Sequence, residues 1–351
     1  MASTYLTRTP SSAGNRKTFA MSFWVKRSGL GSSNNIFSAT NDASSANARF
    51  YVLFGSGDDL MFKQYDGSST NFDLTTNRKF RDTSAWYHIV YNFDSDNGTA
   101  DLRQRIWVNG VEETSFSART NPSSSYDSFV NQTKPHNIGN DTNVSSRFFD
   151  GYISHFSFVD GQALAPTVFG ETDSTSGIWK FKSPSGVTWG TNGFHLKFEN
   201  SGALGTDSSG NSNTFAVNGN LKQAVDTPSN VYCTLNPLVN NNGNLVLSNG
   251  SNTMTLGSTS WIGTLGSLGV NTGKWYWEIK VDANNFMHGI LGETANLNEL
   301  STSNSGYIGK FSNGYSFYFQ SPNARKQNNN SGSTYGTAPS SGDILMVAFD
   351  A

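Results

Sequence analysis

The feature that most limits what this chain can fold into is a period-two alternation of side chains that returns from one end to the other. Met21, Phe23 and Val25 fall on one side of an extended run and Ser22 and Trp24 on the other, and Phe50, Val52 and Phe54 alternate with Tyr51 and Leu53. That rhythm is what a strand with two distinct faces requires. It recurs over residues 60–65, 86–91, 102–108, 148–159 and 194–198. Turn formers separate the runs, among them Gly55-Ser56-Gly57, Asp66-Gly67, Asn97-Gly98, Asn109-Gly110 and Asp160-Gly161. Short strands joined by such corners build antiparallel sandwiches, so the expected fold class is all-β with two sandwiches in tandem. Helix is expected only in short pieces, around residues 163–169 and 293–300.

A chain of 351 residues suggests about two domains, and 35% hydrophobic residues, 13% of the chain being aromatic, suffice to fill their cores. Charge is scarce, at 14% of residues against a usual ~25%, and the net charge is −2. The mild basic cluster of Arg8, Arg16, Lys17, Lys26 and Arg27 falls short of the dense basic face that phosphate binding needs, so nucleic acid is not an expected partner. The single Cys233 excludes an intrachain disulfide and a Cys/His zinc spacing. No apolar run approaches the ~20 residues of a membrane span, and residues 1–14 lack the apolar stretch of a signal peptide. No membrane insertion is expected, and synthesis in a reducing cytoplasm is.

Residues 171–230 are rich in Gly, Ser and Asn. Within them Gly205-Thr206-Asp207-Ser208-Ser209-Gly210-Asn211 reads as a loop, since it lacks the lysine of a phosphate cradle and no helix pattern follows. Alternation resumes from Leu245. Trp275, Trp277, Ile279 and Val281 line one face of a run whose other face carries Lys274, Tyr276, Glu278 and Lys280. These tryptophans, with Trp24, Trp86 and Trp107, sit in strand rhythm and are expected in cores. The last residue, Ala351, follows a strand directly, which leaves an edge to be paired by a continuation of the chain.

Catalysis is not expected. His88, His136, His155, His195 and His288 have no partner at metal or triad spacing, no Gly-x-Ser-x-Gly elbow surrounds a nucleophile, and Glu112, Glu113, Asp94, Asp96, Asp150 and Asp160 fall mostly at turns. The string from Asp94 to Asp101 offers Asp94, Asp96 and Asp101 as oxygen ligands for Ca2+, with Gly98 for the bend, although Arg105 stands where an EF-hand needs its bidentate glutamate. A plain hairpin turn accounts for the same residues. Sugar rings stack on exposed aromatics while amides bond their hydroxyls, and aromatics in polar loops occur at Tyr65, Tyr126, Phe129, Trp189 and Tyr335. These five are the candidate glycan contacts, each also explicable by packing.

Four stretches in order, Phe23-Trp24-Val25-Lys26-Arg27, Trp86-Tyr87-His88-Ile89-Val90, Ile106-Trp107-Val108-Asn109-Gly110 and Phe149-Asp150-Gly151-Tyr152-Ile153-Ser154, resemble a laminin G-type, concanavalin A-like jelly roll. The stretches Gly273-Lys274-Trp275-Tyr276-Trp277-Glu278 and Gly342-Asp343-Ile344-Leu345 resemble a SPRY domain cut short. The resemblance divides the chain into a jelly roll at 1–170, a connecting segment at 171–230 with a strand packed on the first domain, and a SPRY-like sandwich at 231–351. The tandem is similar to virion proteins of tailed phages, of the tail fibre or appendage kind. It implies a non-enzymatic protein made in the host cytoplasm, placed on the tail or capsid surface, and partnered by other virion proteins and by host surface polysaccharide. Analogy with phage fibres implies a homo-oligomer, a trimer. The alternative it leaves open is a capsid decoration, head fibre or tail adaptor with a purely structural role.

Overall fold

The computed structural model describes residues 3–40, 47–141, 143–239, 245–256, 261–283, 285–302 and 306–351. The chain divides into two compact units, Met1–Tyr232 and Cys233–Ala351. It is all-β: helix among the described residues amounts to one α-helix, Leu297–Thr302, and three single 3-10 turns.

In the first unit the strands are β1 (Tyr5–Arg8), β2 (Thr18–Arg27), β3 (Asn34–Thr40), β4 (Arg49–Phe54), β5 (Leu60–Tyr65), β6 (Thr70–Thr76), β7 (Tyr87–Asp94), β8 (Gln104–Val108) and β9 (Val111–Glu113). They continue with β10 (Phe116–Thr120), β11 (His136–Ile138), β12 (Asn140–Asp141), β13 (Val144–Phe148), β14 (Gly151–Asp160), β15 (Gly170–Thr172), β16 (Trp179–Phe181), β17 (Phe194–Leu196) and β18 (Ala216–Asn218). Among the described residues one sheet has eight strands in the order β10-β6-β5-β4-β3-β11-β1-β18 and the other six in the order β17-β14-β2-β7-β8-β9. Every ladder in them is antiparallel.

Phenylalanines from alternate positions of both sheets meet between them. The rings of Phe62 and Tyr91 stack at 4.2 Å, Phe72 lies 5.0 Å from Phe93, and Phe37 lies 5.9 Å from Phe156. All six are buried. Aromatic rings of this size each remove ~150–250 Å² from water and dominate the energy of such a core.

Alternation alone would leave the outer faces of both sheets wet, and for the six-stranded sheet that is not what happens. β2 is buried at nine of its ten residues, because parts of residues 161–232, around 164–169, 187–189 and 226–232, return across its outer side. Ala20, Val90, Trp107, Val159 and Phe169 form a second cluster there, with Leu164, Val168, Val187 and Trp189 against it. Polar groups fasten the same layer: the Lys26 ammonium meets Asp226 at 2.7 Å and donates to the Tyr232 carbonyl at 3.0 Å, and Trp86 Nε1 donates to the other Asp226 oxygen at 2.9 Å. Strands covered on both sides read as nearly continuous apolar runs, as the Phe-Ala-Met-Ser-Phe-Trp-Val of β2 does.

The second unit holds β19 (Leu245–Ser248) paired with β20 (Thr253–Leu256), and β21 (Lys274–Lys280) paired with β26 (Ile344–Asp350). Between β21 and β26 in sequence come the strands of a four-stranded sheet, β22 (Phe286–Leu291), β23 (Gly314–Gln320), β24 (Asn323–Asn328) and β25 (Ser331–Thr337). Trp275, expected in a core, is 44% exposed. The β21–β26 ribbon is two strands wide among the described residues, and its apolar face is only half-buried at Trp277, Ile279, Leu345, Val347 and Phe349, so Trp275 at its end stays exposed. Trp277 is better covered, and its Nε1 donates to His288 Nε2 at 2.9 Å.

Candidate functional site

The outer face of the eight-stranded sheet is covered in part, with Ser38, Asn137, Asp73 and Leu53 buried, and Tyr51 and Lys63 are half-buried on it. The sheet's register aligns a single row across neighbouring strands: Thr7 opposite Asn137, Asn137 opposite Ser38, Ser38 opposite Tyr51, Tyr51 opposite Lys63, Lys63 opposite Asp73, and Asp73 opposite Thr120. In β4 and β5 these are the residues out of phase with the core set Phe50, Val52, Phe54, Leu60 and Phe62. One step along, Arg49 lies opposite Tyr65. The row is polar except for the half-buried ring of Tyr51 at its middle.

The β12–β13 hairpin rises beside that ring. It is tied to β3 through the Asn140 carbonyl, which accepts from Asn35 Nδ2 at 2.7 Å and from Ser38 Oγ at 2.9 Å. Its Asp141 carboxylate is fully buried and takes Arg49 Nε at 2.9 Å and Arg147 Nη1 at 3.5 Å. The Arg49 guanidinium then lies 5.0 Å from the centre of the Tyr51 ring. On the other side Lys63 pairs with Asp73 at 3.1 Å. Burial works against the Lys63 ammonium, but the hydrogen bond and charge of Asp73 outweigh it and raise its pKa. Burial pushes the Tyr51 hydroxyl above its ordinary value against the pull of Lys63 and Arg49, so it stays protonated and can donate. The result is an aromatic platform with a hydroxyl, flanked by the partly exposed Lys63 and Arg147, each held by a buried carboxylate.

The expected glycan contacts are not brought together. Tyr65 alone shares the outer face, its hydroxyl donating to the Gly67 carbonyl at 3.0 Å. Tyr126 is half-buried, accepting from Gln64 Nε2 at 2.8 Å with its ring edge-on to Phe72. Phe129, placed by the sequence in a polar loop, is a core residue at 7% exposure. The buried Gln64 side chain draws that loop inward by accepting from the Phe129 amide at 2.8 Å and from Ser128 Oγ at 3.1 Å. Trp189 packs against the covered face of the other sheet, stacked on His195 at 5.9 Å. Tyr335 belongs to the second unit, where it is 57% exposed and lies 5.2 Å from the Phe317 ring.

The calcium candidates separate as well. Asp94 accepts from Thr18 Oγ1 at 3.4 Å, Asp96 from Ser125 Oγ at 2.6 Å, and Asp101 pairs with Arg119 at 3.2 Å and accepts from Asn121 at 2.7 Å. Among the described residues no three His, Cys, Asp or Glu side chains are grouped to hold a metal ion. The turn is built by local hydrogen bonds and the 3-10 turn Ala100–Leu102, and its carboxylates are spent on neighbours. Tyr51, Arg49, Lys63, Asp73 and Arg147 were not among the expected site residues. The signal that could have found Tyr51 is its place opposite the core phase of β4.

Residues 2–168 match the family profile described as the concanavalin A-like lectin/glucanases superfamily, of laminin G type. The matched stretch falls within the first unit and takes in its strands from β1 to β14. Among solved structures the chain is similar to the SAP-like pentraxin of Limulus polyphemus, at 15% identity and a TM-score of 0.34, covering 46% of this chain and 71% of that one. It is similar to the CBM40 of the Ruminococcus gnavus IT-sialidase, at 10% identity and a TM-score of 0.33, covering 46% and 95%. It is also similar to the enzymatically active domain of bacteriophage CBA120 tailspike protein 2, at 12% identity and a TM-score of 0.31, covering 46% of this chain and 25% of that one. No curated protein sequence matches.

Proposed function

We propose that the outer face of the eight-stranded sheet, centred on Tyr51, binds carbohydrate, and that the chain is a phage virion surface protein that attaches to host polysaccharide without cleaving it. The observation that carries the reading is the part of the row that reaches the surface, the half-buried Tyr51 ring beside Lys63, with Arg147 near it, on the outer face of a lectin-type sandwich. Sugars present an apolar C–H face to a ring and hydroxyls to its surroundings, and this row supplies both. Residues 231–351 are read as a SPRY-like recognition module on the strength of the Gly273–Glu278 and Gly342–Leu345 motifs. On a multivalent particle weak single sites suffice, because linked sites raise avidity without new contacts.

The test is binding of the purified full chain to a polysaccharide array and to intact bacterial cells, with polymer viscosity followed over the same incubation. Retention on at least one polysaccharide, lost in Tyr51→Ala, with viscosity unchanged, supports the proposal. Absence of binding at every protein concentration and oligomeric state, or a fall in viscosity, refutes it.

A further inference from the structure

We infer that the saccharide taken by the Tyr51 face is acidic, carrying a carboxylate or sulfate group that Arg147 reads; the inference rests on the carbohydrate-binding proposal above. Around Tyr51 stand Arg49, Lys63 and Arg147 with two carboxylates, Asp73 and Asp141. Lys63 and Asp73 neutralise each other at 3.1 Å. Asp141 is shared by two guanidiniums, so among the described residues the positive charges beside the ring outnumber the carboxylates by one, in a chain whose net charge is −2.

The two arginines divide their work. Arg49 is the buried one, holding Asp141 through Nε and the Asn47 carbonyl through Nη1 at 2.8 Å, and its side chain is 8% exposed. Its task is to fix the hairpin and the ring. Arg147 meets Asp141 through Nη1 at 3.5 Å, the outer limit of a hydrogen bond, and its side chain is 33% exposed. A guanidinium so held keeps its planar fork available for two parallel bonds to a carboxylate or sulfate, the geometry arginine favours over lysine. Asp141 orients Arg147 from behind as the buried partner. The Tyr51 ring and hydroxyl then hold the sugar that bears the acid. A neutral sugar would leave the surplus charge unused.

The experiment is equilibrium binding of the full chain to oligogalacturonate, to dextran sulfate, to unmodified dextran and to polyglutamate, for the native protein and for Arg147→Gln, Arg147→Lys and Tyr51→Ala, with circular dichroism as the folding control. Oligogalacturonate or dextran sulfate should bind more tightly than dextran. Arg147→Gln should weaken the preferred acid polymer by about tenfold, as loss of one charge-assisted pair does, and Arg147→Lys should recover part of that loss. Binding to the acid polymers should fall as NaCl rises from about 50 to about 500 mM. Oligogalacturonate preferred over dextran sulfate, or the reverse, identifies the acid group. Equal binding of dextran and the acid polymers, or an Arg147→Gln protein that is folded and unchanged, overturns the inference while leaving carbohydrate binding standing. Polyglutamate binding as tightly as the sugars overturns it in favour of a general anion site. Binding of none of the four, with Tyr51→Ala indistinguishable from native, removes the carbohydrate reading itself.

Discussion

The indole Nε1 of Trp179 donates to Nδ1 of His88 at 2.9 Å. That bond settles the tautomer: Nε2 of His88 carries the proton and donates to Ser22 Oγ at 2.8 Å, and Trp24 stacks on the ring at 4.7 Å. His88 is therefore neutral, and burial pushes its pKa down to about 3. Close by, His155 lies 3.6 Å from the Phe181 ring and 5.7 Å from His195, and burial lowers both histidines to about 4.

A pH dependence follows from this layer. In the unfolded chain these histidines titrate near 6.5, so between that value and about 4 the unfolded state binds more protons than the folded one. Stability is complete above pH 6.5 and is lost as the pH falls toward the folded values. The urea midpoint of the first unit should be flat from pH 8 to 7 and decline steadily on acidification to pH 4. A midpoint that holds or rises over that interval contradicts the neutral assignment.

Trp179 also explains two glycines. A Cβ at Gly110, where φ is +79°, or at Gly170 would come within 2.5 Å of the indole ring. Gly110→Ala and Gly170→Ala should each lose about 1–3 kcal/mol, the first through backbone strain as well as the clash. In the smaller Trp179→Ala background the Gly170→Ala cost should largely vanish. Denaturant titration of the four proteins reads the coupling directly.

Lys26 and Asp226 form a buried pair with side chains 0% and 5% exposed. Asp226→Ala leaves an ammonium without its counter-charge and should cost about 3–5 kcal/mol. The double variant Lys26→Met, Asp226→Leu removes both charges and should be the more stable of the two. A double-mutant cycle in which the two changes simply add would show that the pair does not hold residues 196–232 to the sheet.

Phe129 and Tyr51 should separate stability from binding. Phe129→Ala opens the core and should cost about 3–5 kcal/mol while polysaccharide affinity of the folded fraction stays native. Tyr51→Ala, at a half-buried position on the outer face, should abolish retention on the polymer with a smaller change in the unfolding midpoint. A Phe129→Ala protein that is fully stable but no longer binds would reverse the two assignments.

The strands of both sheets were legible because alternation and turn formers are local: Phe50, Val52 and Phe54 announce the core phase of β4, and Asn109-Gly110 announces the corner between β8 and β9. Two things were not. Burial of Trp24 and Lys26 on the second side of β2, and of His88 beside them on β7, depends on residues far along the chain, Trp179 and Asp226, which no local pattern links to them. The site depends on register. Tyr51, Lys63 and Asp73 come from three strands, and only the pairing of those strands puts them in a row. Aromatics chosen for polar neighbours in sequence, Phe129 above all, were misplaced because a single buried amide, Gln64, decides which way their loop turns.

The match to the lectin superfamily stops at residue 168, yet much of the layer over β2, including Phe169, Val187, Trp189 and Asp226, comes after it. Excising the matched stretch as a minimal domain would strip a raincoat from the six-stranded sheet. Trp24 and Trp107 would be bared to solvent and Lys26 left without Asp226, and such a fragment would be prone to clump with its own kind. The smallest piece worth expressing therefore extends to Tyr232.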